Sequence, residues 1–321
     1  MKMVLNISRA IGAGLYIMAL SLAAPAFAVD GWATQGGGTS GGSGGSSTTV
    51  TTLSSFKTAV SGTTARVVYV SGTIDLGTSN VDIGSNKTII GSGSTSGFKG
   101  NLRANGQSNI ILQNLNFTNP SSVGGGDGLT IQGTTRFFVT KCTFKQTGDG
   151  ALDIVNGSDY GTVSWCKFLY TSDTGHNFVN LIGNSDSNGA QDSGKLRVTM
   201  HHNWYSVLTK ERMPRVRFGK VHVYNNYFGG GGGNYNIGVG NNCQILAQNN
   251  YFEDQPNPWK NYSTSGNQGL IRYSGNYFVR CSQPTWAPSS TVFTPPYSYS
   301  LDTGSNVKNV VTSATTGAGT H

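Results

Sequence analysis

Long apolar runs are missing from most of this chain. Beyond its first 28 residues, no stretch is apolar enough to cross a bilayer, which takes about 20 residues as a helix. Charge is scarce as well. Asp, Glu, Lys and Arg make up 11% of the chain, against about 25% in an average domain. The composition also works against long helices. With 46 Gly and frequent Asn, Ser and Thr, it suits many short strands joined by tight turns. Cysteine is limited to four residues, at 142, 166, 243 and 281. Four cysteines allow three pairings. Cys142 and Cys166 fall at equivalent repeat positions and fit a stacked interior, so Cys243–Cys281 is slightly favoured as a bridge.

The first 28 residues read as a secretory signal peptide. Lys2 and Arg9 form its charged region, Ala10 to Ala24 its apolar core, and Ala26-Phe27-Ala28 its cleavage site. The apolar core is shorter than a membrane span. Residues 29–321 are then expected to form one domain. The net charge of +8 falls by two, to +6, once Lys2 and Arg9 are removed. An exported basic protein is drawn to polyanions. Export favours an acidic polysaccharide or a cell surface over nucleic acid, and no membrane partner is expected.

The chain repeats itself. A short apolar strand ending in an aromatic residue recurs at Ile110 to Phe117, Phe138 to Phe144 and Thr162 to Phe168. Later copies end in Asn203-Trp204-Tyr205, Asn226-Tyr227-Phe228, Asn250-Tyr251-Phe252 and Asn276-Tyr277-Phe278. The terminal aromatics are spaced by 27, 24, 37, 23, 24 and 26 residues. A period in the twenties with short strands marks a solenoid, in which each unit buries its apolar face only by stacking on its neighbours. The pattern predicts an all-β, right-handed parallel β-helix, with a short helix near Leu53 to Val60. The spacing of 37 places an insertion from Asn184 to Lys195, and long insertions are often functional. Asn203, Asn226, Asn250 and Asn276 share one repeat position. They fit either a ladder of side-chain amides or ordinary turn asparagines. The tail from Gln283 to His321 holds four of the nine prolines. It is expected to wrap the outside, with its last residues loosely held.

Two segments carry the chemistry. Gly148-Asp149-Gly150-Ala151-Leu152-Asp153-Ile154 places two carboxylates four residues apart, and Asp127 precedes the equivalent strand Leu129-Thr130-Ile131. Side chains alternate along a strand and adjacent strands lie about 4.8 Å apart. Asp153 is therefore expected to face outward, close to Asp127 and Asp149. Such carboxylates repel unless a cation neutralises them. Oxygen-only ligands with no His or Cys nearby favour Ca²⁺ over a transition metal. His176, near Phe178, reads as structural rather than catalytic. The second segment, Arg212-Met213-Pro214-Arg215-Val216-Arg217-Phe218-Gly219, clusters three guanidiniums, which suits an anionic substrate.

These two segments, with Gly31 to Gly42, Leu181-Ile182-Gly183 and Leu196 to Asn203, resemble the pectate lyases of polysaccharide lyase family 1. The resemblance covers almost the whole chain after residue 28. It implies calcium-dependent β-elimination of polygalacturonate, with 4,5-unsaturated products, by a secreted monomer. It places Asp127, Asp149 and Asp153 on the family's calcium ligands, Arg212 on the base, and Arg217 on the arginine that grips substrate carboxylate. Arg215 and Lys210 join the substrate-binding set. An arginine base needs neighbouring cations or a dry site, since its free pKa exceeds about 12.

The chain departs from the family in two places. Phe138-Val139-Thr140-Lys141 stands where Trp-Ile-Asp-His is common, and Phe178 stands where a substrate-binding lysine is common. Lys210, Lys220 or Lys141 could compensate. Three rivals fit less well. A pectin lyase replaces the calcium carboxylates with a basic residue. A polygalacturonase, whose paired acids perform hydrolysis, leaves the arginines without a role. A non-catalytic β-helical binding protein leaves the whole constellation unexplained.

Overall fold

The computed structural model describes residues 28–286, 289 and 291–321. The expected signal peptide, apart from Ala28, lies outside them. Successive coils stack their strands in parallel into three sheets of ten, eight and nine strands. The expected parallel β-helix is therefore what forms. The insides of the coils are filled by side chains such as Leu112, Val139, Val163, Met200, Val223 and Ala247, all with no exposed surface.

The recurring aromatics form a column inside the solenoid. Ring centroids are separated by 4.7 Å between Phe117 and Phe144, 5.0 Å to Phe168, 5.2 Å to Tyr205, 4.8 Å to Phe228, 4.4 Å to Phe252 and 5.3 Å to Phe278. The helix Leu53–Val60 closes one end. Thr52 and Ser55 form a capping box at its start, and Phe56 packs 4.7 Å from Phe98, which extends the column. A solenoid needs such a cap because its last coil has no neighbour to cover it.

Between the ten-stranded and nine-stranded sheets the chain turns through a left-handed residue. Asn114, Lys141, Trp165, His202, Asn225 and Asn249 hold φ between 49° and 55° there. The next residue points inward. In the later coils it is Asn203, Asn226, Asn250 and Asn276, and these form the ladder. Each of the first three donates through Nδ2 to the next one's Oδ1, at 3.0, 3.0 and 2.9 Å. The backbone N–H groups of Asn203, Asn226 and Asn250 donate to the same oxygens. The row ends where Asn203 Oδ1 accepts from Cys166 N at 2.9 Å. Cys166 and Cys142 occupy the same position one and two coils earlier and are fully buried.

All four cysteines are free thiols, so the favoured Cys243–Cys281 bridge does not form. Cys243 precedes Gln244–Gln248 in the ten-stranded sheet, whereas Cys281 follows Tyr277–Val279 in the nine-stranded sheet. The two lie at different corners of the coil. Cys281 Sγ instead accepts from Gln255 N at 3.3 Å.

Both ends of the described chain pack on the outside of the solenoid. Trp32 N donates to Thr199 Oγ1 at 2.9 Å and Ala33 N to Thr162 Oγ1 at 3.2 Å. Gly31 has φ +59°, and an added Cβ would lie 2.6 Å from both hydroxyl oxygens, so only glycine permits this approach. The tail holds on through Asp302, whose Oδ2 is 2.9 Å from His202 Nε2, and through the helix Val307–Val311. Its last residues, expected to be loose, are docked: His321 N donates to Asn114 Oδ1 at 2.8 Å and Thr320 N to Thr143 Oγ1 at 3.0 Å. The corner residues leave polar side chains on the surface that answer the tail's backbone groups. No helix of the described residues is long and apolar enough to cross a membrane.

Candidate active site

The eight-stranded sheet places one register row across successive coils. Arg103, Thr130, Asp153, Leu181, Arg215, Gly238 and Lys260 are neighbours along it. Asp153 therefore stands two coils from Arg215. It points away from the core, as alternation with the buried Leu152 and Ile154 requires. Yet it is only 7% exposed, which corrects the expectation of an open outward carboxylate. Its Oδ1 accepts from Leu181 N at 3.1 Å. Asp127 lies at the turn before Leu129–Gln132. Its Oδ2 accepts from Thr130 Oγ1 at 2.7 Å and its Oδ1 from Gly150 N at 3.0 Å.

Gly150 has no side chain between these acids. A Cβ there would lie 2.3 Å from Asp153 Oδ1 and 3.0 Å from Asp127 Oδ1. Burial, and then the charge of Asp127, pushes the Asp153 carboxyl well above the ordinary carboxylate range. Burial raises Asp127 to about 6; the Asp149 charge adds to this and the Thr130 hydrogen bond opposes it. Two buried carboxylates this close together repel, and a cation between them relieves that repulsion. The oxygen-only pair, with the glycine space beside it, suits a hard cation such as Ca²⁺. Asp149 does not complete a preassembled trio: among the described residues, no three metal-ligating side chains converge. Asp149 Oδ1 instead lies 2.7 Å from His176 Nε2 and 3.9 Å from Arg212 Nη1, so the expectation of no histidine near the carboxylates fails: the coil that follows brings His176 onto Asp149.

Arg212 itself holds φ +61°. Its guanidinium carbon lies 4.3 Å from the centroid of the Phe178 ring, and its Nε is buried without a hydrogen-bond partner. Phe178 is thus a platform for Arg212, and the His176 ring packs 4.0 Å from it. Arg215 lies over Tyr262 at 4.4 Å, its Nε also buried and unpartnered. Among the described residues it has no ion pair.

The other expected cations are paired. Lys210 Nζ is 2.7 Å from Asp173 Oδ2, and Arg217 Nε is 2.6 Å from Asp186 Oδ1. Lys141 does not reach the site: its ammonium bonds the Thr316 and Gly317 carbonyls and lies 4.4 Å over Trp165. Lys220 stands on the ten-stranded sheet. Neither takes the place left by Phe178. Sequence reasoning missed Asp173, Asp186 and Tyr262. Only Asp186 carried a signal, its place in the insertion.

A parallel β-helix with acids and arginines gathered on one sheet is the class of protein that this fold and site define. The family model described as Pectate lyase matches residues 3–321. Pectate lyase D of Dickeya chrysanthemi is 35% identical, covering 85% of this chain and 84% of its own. The pectate trisaccharide-lyase of Bacillus licheniformis is 35% identical over 89% and 85%. Among solved structures, a Bacillus pectate lyase in complex with trigalacturonate superposes with a TM-score of 0.76 at 25% identity, covering 91% of this chain and 99% of its own. The chain belongs to the pectate lyase family and is a polysaccharide lyase.

Proposed function

We propose that this chain is a secreted, monomeric, calcium-dependent pectate lyase that cleaves de-esterified polygalacturonate by β-elimination and releases 4,5-unsaturated oligogalacturonates. The observation that carries this reading is the buried Asp127–Asp153 pair with Arg212 beside Asp149. Asp127, Asp149 and Asp153 would hold the calcium. That ion would supply positive charge at the substrate's C6 carboxylate and make the C5 proton more acidic.

The protein's own groups do the rest. Arg212 accepts the C5 proton. Its side chain is one-fifth exposed and held against Phe178, which limits water around the guanidinium. Arg215, which has no ion pair among the described residues, is left to meet a substrate carboxylate. Arg217 binds a substrate carboxylate. As the C5–H bond breaks, its electrons form the C4–C5 double bond, the C4–O bond breaks, and the glycosidic oxygen leaves with that bond's electrons and takes a proton from water. A high working pH helps, because it favours the neutral base.

The test is ultraviolet absorbance of unsaturated uronate on polygalacturonate, with chelator and after calcium is restored. Turnover should vanish and return. Full turnover in excess chelator would overturn the calcium role, and turnover only on methyl-esterified substrate would point to a pectin lyase.

A further inference from the structure

The insertion Asn184 to Lys195 is folded over the end of the arginine strand. It holds itself together through Asn188 Nδ2 to Asn184 Oδ1 at 2.7 Å and a Ser185–Ser187 contact at 2.8 Å. Its short helix, Gly189–Asp192, lies against Phe218, the neighbour of Arg217: an added Cβ on Gly189 would be 3.3 Å from that ring. One side chain of this loop, Asp186, reaches Arg217. The contact is short, at 2.6 Å from Oδ1 to Nε, while Gly183 O accepts from Nη1 at 2.8 Å.

These two bonds tie down separate nitrogens of one rigid guanidinium and fix both its position and its rotation. Arg217 is 8% exposed. Its Nη2 has no acceptor among the described residues, yet it is not a sealed buried atom. That nitrogen is the one left to meet an anion.

We infer that Asp186 is the positioning residue for Arg217. The insertion supplies a carboxylate that locks the guanidinium with Nη2 turned to the groove, so that the arginine meets a uronate carboxylate without first losing side-chain freedom. Holding a long side chain in its bound geometry before association removes part of the ordering cost of binding. Asp186 itself is half-exposed, so its effect on stability is small. This inference rests on the proposed action on polygalacturonate and on Arg217 as a contact to substrate.

Steady-state kinetics on polygalacturonate tests it. Asp186→Ala should raise KM about tenfold, with kcat within about threefold of wild type. Asp186→Asn keeps an acceptor for Nε and should stay within about threefold of the wild-type KM. In the Arg217→Ala background, Asp186→Ala should add nothing, because the group it positions is gone. A merely structural loop residue would give additive losses. An unchanged or lower KM in Asp186→Ala, a KM for Asp186→Asn as high as that of Asp186→Ala, or additivity with Arg217→Ala would each overturn the inference while leaving the lyase reading intact. Absence of wild-type turnover on polygalacturonate would overturn that reading and this inference with it.

Discussion

Asn226 and Asp153 are both buried polar side chains on the same solenoid, flanked by apolar residues that fill its interior. Their circumstances are opposite. The Asn226 amide accepts from the Asn203 backbone and amide, and donates to Met200 O and Asn250 Oδ1. The ladder thereby answers each amide with the next coil. Asp153 faces a second buried carboxylate across the Gly150 space, and near it Arg212 and Arg215 each bury an unpartnered Nε. One edge of the coil satisfies its polar groups; the other face leaves them wanting a ligand. Unsatisfied buried charge is costly, and two such groups, the Nε atoms of Arg212 and Arg215, lie on the face that carries the acids.

The sharpest way to break that contrast is at Arg212. Arg212→Lys should lower kcat by about 10²–10⁴-fold, the usual range for loss of a positioned acid or base, with the melting temperature unmoved. Arg217→Lys should mainly raise KM, since one charged contact survives. Kinetics of both variants at several pH values make the comparison. A near-normal kcat for Arg212→Lys would move the base elsewhere.

The acid pair comes next. Asp153→Asn should abolish most calcium binding, read by titration calorimetry. In the calcium-free protein it should melt no lower than wild type, because burial already disfavours the carboxylate charge and Asn keeps an acceptor for Leu181 N. A lower melting temperature without calcium would make Asp153 a structural residue.

The ladder should respond the other way. Asn226→Ala leaves the Asn203 N–H without its acceptor and Met200 O without its side-chain donor. A loss of about 2–3 kcal/mol is expected in urea unfolding, with kcat/KM unchanged where the variant is folded.

The smallest effect concerns pH and the surface under the tail. Burial, and then the charge of His201, lowers His202 from 6.5 to about 4, and burial lowers His222 from 6.5 to about 3. The folded state therefore refuses protons that the unfolded chain takes up, and stability falls as pH drops below about 6.5. Asp127, raised from 3.8 to about 6, and Asp153, raised well above the ordinary carboxylate range, oppose this in the calcium-free protein because their folded forms protonate first. The two histidines together should cost about 2 kcal/mol from about pH 6.5 to 5.5, and the buried acids offset part of that. Calorimetry should show a shallower slope for His222→Gln.

Much of the fold was legible because it depends on local repetition. The spacing of the terminal aromatics marked the repeat, the shared position of four asparagines offered the ladder as one of two readings, and Leu53–Val60 was visible as a helix. The acids and arginines of the candidate site were legible through motifs and strand alternation. What those residues touch was not. Asp186 lies 31 residues from Arg217, and Lys141 lies 175 residues from Thr316. The Cys243–Cys281 expectation failed for a related reason: pairing depends on which corner of the coil each thiol occupies.

The sequence by itself determined the parallel β-helix, its first helix and the equivalent places of Thr130 and Asp153, because strand alternation and a period in the twenties are properties of neighbouring residues. Only the tertiary structure decided how deeply Asp153 is buried, that Lys141 serves the tail, and that Asp186 holds Arg217. Each of these depends on which atoms a distant segment brings within hydrogen-bond reach, and that distance is set by the stacking of coils rather than by any pattern along the chain.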